Sequence, residues 1–152
     1  MQIEHKEGQV LLQLKGIEIL ESSLNLMGVT NLTPLEFQFN VNLENRIEAS
    51  KKLIFVIVSV DVLGEGQQNS LGALKVSCIY EIQNFEEVVK TNSEGIMDLP
   101  PFLVDLINSV SISTTRGVMY STYKGTFLHD AILPIVDPKN FFVRQPKQEL
   151  QQ

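Results

Sequence analysis

Leu99-Pro100-Pro101-Phe102-Leu103-Val104-Asp105-Leu106-Ile107-Asn108-Ser109-Val110 opens the stretch on which the fold turns, and Lys124-Gly125-Thr126-Phe127 closes its first part. Within it, Phe102, Leu103, Leu106, Ile107 and Val110 recur at the i, i+3, i+4 spacing of an amphipathic helix. Tyr120 and Tyr123 resume that spacing, and Gly125 is placed to cap the C-terminal end. The middle, Val110 to Thr115, is Val-Ser-Ile-Ser-Thr-Thr. It combines poor helix formers with period-two alternation, so a continued helix and an extended segment both stay open there. Phe127 to Val136 is apolar but broken by Pro134 and reads as a packed connector. Asp137-Pro138 then offers an N-cap and a first-turn proline for a second, short helix.

Everything before Leu99 reads as sheet. From Leu11 to Met27 the pattern is a long strand interrupted at Gly16, as a bulge or bend would interrupt it. Gly28 to Pro34 supplies turn chemistry. In the next strand Leu35, Phe37, Phe39, Val41, Leu43 and Ile47 share one parity and polar residues the other, which describes a strand with one wet face. Lys51 to Leu63 follows, with Ile54, Val56, Val58, Val60 and Val62 on one face and Leu53, Phe55 and Ile57 on the other. A strand apolar on both sides belongs at the centre of a sheet or at a subunit contact. Gly64 to Asn69 is a hairpin loop, and Leu71 to Phe85 a fourth strand. The polar residues 86–98 form a connection long enough to cross the sheet. A long helix following four strands must cover one of their faces, because neither element can otherwise take its apolar side out of water. The expected class is therefore α+β: a four-stranded antiparallel sheet covered on one face by a long helix and a short C-terminal one.

With 152 residues, the chain reads as a single domain over 1–152, frayed at 1–8 and in the Gln- and Lys-rich tail from 145. A net charge of −6 argues against nucleic acid, whose binding depends on clustered cations. No stretch approaches a membrane span, no leader pattern opens the chain, and the lone Cys78 fits a reducing compartment, so a cytoplasmic setting is expected. No catalytic or metal constellation stands out. His5 and His129 have no partners at ligand spacing. Gly64-Glu65-Gly66 lacks the lysine and helix of a phosphate loop. Ser22-Ser23 and the hydroxyls of 111–115 have no base beside them in sequence. What remains is apolar surface in excess of what one sheet and one helix need. It suits either an oligomer interface or a groove for extended peptide, and both can hold for one molecule.

Lys124-Gly125-Thr126-Phe127, Ile132-Leu133-Pro134-Ile135-Val136 and Asn140-Phe141, in that order, resemble the C-terminal part of the SecB family of export chaperones. Those proteins end their main helix in a basic residue, Gly, Thr and Phe, and pass through a proline-containing connector to Asn-Phe. Cys78-Ile79-Tyr80-Glu81-Ile82-Gln83-Asn84 is similar to the family's apolar-Cys-Glu-Val-Gln-Gln strand, and Gly16 to Leu24 to its first strand. The resemblance spans roughly residues 10–143.

The resemblance implies the α+β fold above, assembled as a homotetramer, a dimer of dimers. It implies a holdase, not an enzyme, that works without nucleotide or other cofactor on apolar segments of unfolded preproteins. It points to Tyr80, Ile82, Asn84, Phe102, Leu103, Leu106 and Ile107 as peptide-binding residues, and to Glu21 and Glu81 as contacts to the SecA motor. Asn25 stands where the family has a further acidic contact. The segment from Pro101 to Lys124 is about two turns longer than the family's helix. Relatives of this kind include SecB-like chaperones that attend an antitoxin or another dedicated client. The alternative is an oligomeric scaffold or small-molecule binding protein built on the same fold.

Overall fold

The computed structural model describes residues 2–5, 8–25, 36–64 and 70–137. The turn read at 28–34, the loop read at 64–69 apart from Gly64, the second helix read from Asp137-Pro138 apart from Asp137, and the tail from Gln145 lie outside them. The sheet is built from β1 (Gln2–His5), β2 (Gly8–Leu24), β3 (Phe37–Glu48), β4 (Leu53–Gly64) and β5 (Ser70–Ile82), in the order β1-β2-β5-β4-β3, every neighbouring pair antiparallel. β4 lies between β5 and β3, as its two apolar faces require, and Ile54, Val56, Val58, Val60 and Val62 are all fully buried. The chain's first residues are a strand rather than a frayed end: Gln2–His5 pair with Leu11–Gly8 and add a short fifth strand at the sheet's edge.

Gly16 marks a bulge, as its place in the pattern predicts. The pairing of β2 with β5 slips between Leu14 and Gly16 and again between Ile19 and Glu21, so Lys15 and Leu20 are the extra residues. Each bulge shifts the side-chain alternation by one, so that Leu14, Ile17, Ile19, Ser22 and Leu24 all pair with helix-side residues of β5.

The connection from β5 carries a short helix, α1 (Phe85–Val88), and a small hairpin of β6 (Lys90–Thr91) and β7 (Met97–Asp98). It delivers the chain to α2 (Pro101–Tyr123), one unbroken helix packed over β4 and β5. The Ser/Thr-rich middle is therefore helical, and its hydroxyls explain how. Ser111 Oγ donates to the Ile107 carbonyl at 2.6 Å, and Thr115 Oγ1 to the Ser111 carbonyl at 2.7 Å, so each buried hydroxyl is satisfied by the turn before it. Past α2, Leu128, Ala131 and Leu133 are buried, and the connector runs back along the helix. It is fastened there by Arg116, whose Nε donates to the Leu133 carbonyl at 2.6 Å and whose Nη2 donates to the Pro134 carbonyl at 2.9 Å.

Candidate functional site

Opposed residues of an antiparallel pair share a sheet face, so Leu14 lies beside Tyr80, Ile17 beside Cys78 and Ile19 beside Val76. The β5 members of these pairs are closed over by α2. Their β2 partners are not: Leu14, Ile17, Ile19 and Leu24 are 40%, 48%, 54% and 41% exposed. The helix thus covers the middle of the sheet and stops one strand short, leaving an apolar shelf along β2. From Tyr80 to Gly72 on β5, the partners of Leu14 and Leu24, the shelf is about 26 Å long at ~3.3 Å per residue. Along the outer edge of β2, from Gln13 onward, no described strand is paired.

At the start of β2, beyond the buried Leu12, is a cavity of ≈ 540 Å3 between β2, α1 and the first turn of α2. Its apolar lining comes from Val10, Val88, Leu99 and Phe102, and its rim carries Glu87, Lys90 and Asp98. That volume has room for one or two large side chains and lies in the range of small-ligand sites. Asn84, just before α1, bonds to the start of β2: its Oδ1 accepts from the Leu11 amide at 3.0 Å, and its Nδ2 donates to the Gln9 carbonyl at 2.6 Å. The side chain of Asn84 thereby ties the start of β2 to α1.

The sequence-predicted residues divide into three sets. Tyr80, Ile82, Leu103 and Ile107 are core residues, sealed between sheet and helix. The Tyr80 hydroxyl lies 2.8 Å from Ser111 Oγ and donates within the same group to the Ile107 carbonyl at 3.2 Å. Burial raises the phenol's pKa well above its ordinary value, so it stays a neutral hydrogen-bonding group. Phe102 lines the cavity, Asn84 bonds to the start of β2, and Leu106 is half-buried against the core. Glu21 and Glu81 sit on the opposite sheet face, paired across to Lys75 and to Gln13 and Leu53. Sequence reasoning missed Val10, Leu14, Ile17, Ile19, Val88 and Leu99. The phase change across Gly16, from Leu12 and Leu14 to Ile17 and Ile19, was the signal that these residues share one face.

Among the described residues no group of three His, Cys, Asp or Glu side chains is placed to hold a metal, and no helix is long and apolar enough to cross a membrane. Cys78 is buried, and desolvation pushes its thiol pKa up, away from the reactive thiolate.

No family model matches the sequence, and no curated protein matches it. Solved structures do. A chain from Streptococcus agalactiae, described as a protein of unknown function, aligns over 76% of this chain and 89% of its own at 10% identity, with a TM-score of 0.36, too low to carry an argument. The Mycobacterium tuberculosis SecB-like chaperone Rv1957, solved in complex with a ChAD peptide from the HigA1 antitoxin, aligns over 82% of this chain and 90% of its own. The identity is 12% and the TM-score 0.58. This chain therefore has the α+β fold of a SecB-like chaperone.

Proposed function

We propose that this protein is an ATP-independent chaperone of the holdase type that binds apolar segments of non-native polypeptide along β2. The observation that carries the reading is the uncovered row Leu14, Ile17, Ile19 and Leu24, on the sheet face that is elsewhere core. An extended client laid there buries apolar side chains at ~25 cal/mol per Å2 with no demand on their order, which is the selectivity a holdase needs. The cavity at Phe102 accepts a larger side chain at one end of the track. The fold it shares with a chaperone solved with an antitoxin peptide supports the same reading, and a dedicated client is as compatible with it as a spectrum of preproteins. On the opposite face, Glu21 and Glu81 are the proposed contacts to the SecA motor.

The test is suppression of aggregation of reduced, unfolded clients, followed by light scattering without nucleotide. Near-stoichiometric protection is expected, and its absence across several clients refutes the reading. Ile17→Glu is expected to weaken binding of a labelled apolar peptide by about fivefold or more, since even half of a large apolar side chain contributes ~1 kcal/mol. Its thermal midpoint should stay within a few degrees of the parent's, because Ile17 is half exposed already. A second reading has its own observation: the outer edge of β2 carries no described strand along most of its length, and a second copy pairing there would use the shelf as a subunit contact. Light scattering of the intact protein separates the two. An assembly that binds no peptide and no apolar dye is a scaffold.

A further inference from the structure

β2 outruns the strand beside it. Its pairing with β5 begins at Leu12, opposite Ile82, so Gly8 to Leu11 continue past the body of the sheet with β1 on their outer side. On the inner side the Gln83 N–H donates to the Leu11 carbonyl at 3.0 Å, and the next two bonds use a side chain in place of backbone. The Asn84 carboxamide makes them, accepting from the Leu11 N–H and donating to the Gln9 carbonyl. A primary amide offers the same donor and acceptor as a peptide group, so Asn84 lengthens the ladder of β5 by one rung. Its Nδ2 also donates to Glu87 Oε2 at 3.3 Å, so a swing away from β2 still leaves it an acceptor. The stretch held in this way forms one wall of the cavity at the first turn of α2: Gly8 and Val10 line it, and Val10 is buried.

We propose that Asn84 is a latch. Its amide holds Gly8–Leu11 beside α1, and its release lets that stretch swing out from Leu12, uncovering Val10 and widening the cavity for an apolar side chain of a client. A backbone rung opens only when its strand moves, whereas a side-chain rung opens by rotation about two bonds, which at a partly exposed residue takes on the order of nanoseconds or less. An apolar group that enters covers Val10 again, so it binds the open form better and shifts the population toward it. Asn84 is then a positioning residue that acts through β2 and not a contact to the client. The admission of a client rests on the chaperone reading above; the latch itself does not.

Two measurements on the full chain test this. In the first, Val10→Cys is made in the parent and in Asn84→Ala, and labelling by a small aromatic disulfide reagent is followed site by site by mass spectrometry. Removing the two hydrogen bonds is expected to speed labelling at position 10 by about tenfold, while Cys78, fully buried under α2, stays as slow as before. An unchanged rate at position 10 overturns the latch. So does an equal acceleration at Cys78, which reports loosening of the whole fold. In the second, Asn84→Ala with Val10 intact is titrated with a fluorescein-labelled peptide of alternating leucine and serine. The apparent dissociation constant falls as the competent fraction grows, so a gain in affinity of about three- to tenfold over the parent is expected. Weaker binding makes Asn84 a client contact, and unchanged binding makes access independent of it; either overturns the role in admission. Faster labelling without peptide binding to either protein supports the latch and refutes the chaperone reading. Peptide binding with unchanged labelling does the reverse.

Discussion

Tyr80 shows how one side chain joins the two layers. Its ring is buried in β5, and its hydroxyl reaches the polar middle of α2, where Ser111 and the Ile107 carbonyl receive it. The helix can carry Ser and Thr at buried positions because each has a carbonyl to return to, and Tyr80 uses the remaining hydrogen-bonding capacity of Ser111. Removing only the hydroxyl, Tyr80→Phe, is expected to cost about 1 kcal/mol, read from the urea midpoint at unchanged slope. A glutamate at the same place would bury a charge with no cation facing it, so loss of client binding there would report unfolding rather than a binding contact.

At the scale of elements, the position of α2 across the sheet is set at two points, its middle and its C-terminal end. One is the Tyr80–Ser111 contact. The other is Gly72 in β5, where an added Cβ would lie 2.7 Å from Leu128 Cδ1 and 2.9 Å from the Tyr123 hydroxyl. Gly72→Ala is therefore expected to push the helix's C-terminal end and connector off the sheet at a cost of about 1–3 kcal/mol, measured by thermal or urea unfolding. Much of this arrangement is legible in the sequence. The alternation of β3, the two-sided apolar character of β4 and the phase break at Gly16 each follow from local pattern alone. Which strands the helix leaves bare does not. That depends on contacts between residues 31 to 100 positions apart, such as Tyr80 with Ser111 and Tyr123 with Ser23. The resemblance pointed to Tyr80 and Ile82, which lie on the helix-side face, but local pattern could not tell that this face is sealed over β5 and open over β2.

For the molecule as a whole, the same two tyrosines set an alkaline limit. Burial, and then the Asp61 carboxylate, push the Tyr123 phenol up to about 12, and burial raises Tyr80 as well. In the unfolded chain both titrate near pH 10. Their folded-state values are raised, so the neutral forms contribute stability that is fully present below about pH 10. Above it the unfolded chain loses protons first, and that stability drains away as pH rises through the folded values. The urea midpoint is expected to be flat from pH 7 to about 9.5 and to fall between about pH 10 and 12. Tyr123→Phe should make that fall shallower, since it removes one of the two titrating groups.

The bulges at Lys15 and Leu20 have a consequence for how this chain compares with others. Each inserts a residue that pairs with nothing on β5, and the regular register resumes immediately after it. Excising either one would leave Leu12 and Leu14, and beyond them Ile17, Ile19 and Leu24, opposite the same partners as before. β2 is thus a place where chain length can change by one without any inward side chain changing sides. Two chains with the same sheet can differ there by one or two gaps within a dozen residues, and a position-by-position comparison then sets apolar against polar along half a strand. Superposed coordinates, which follow the register and not the count, are untouched by those gaps.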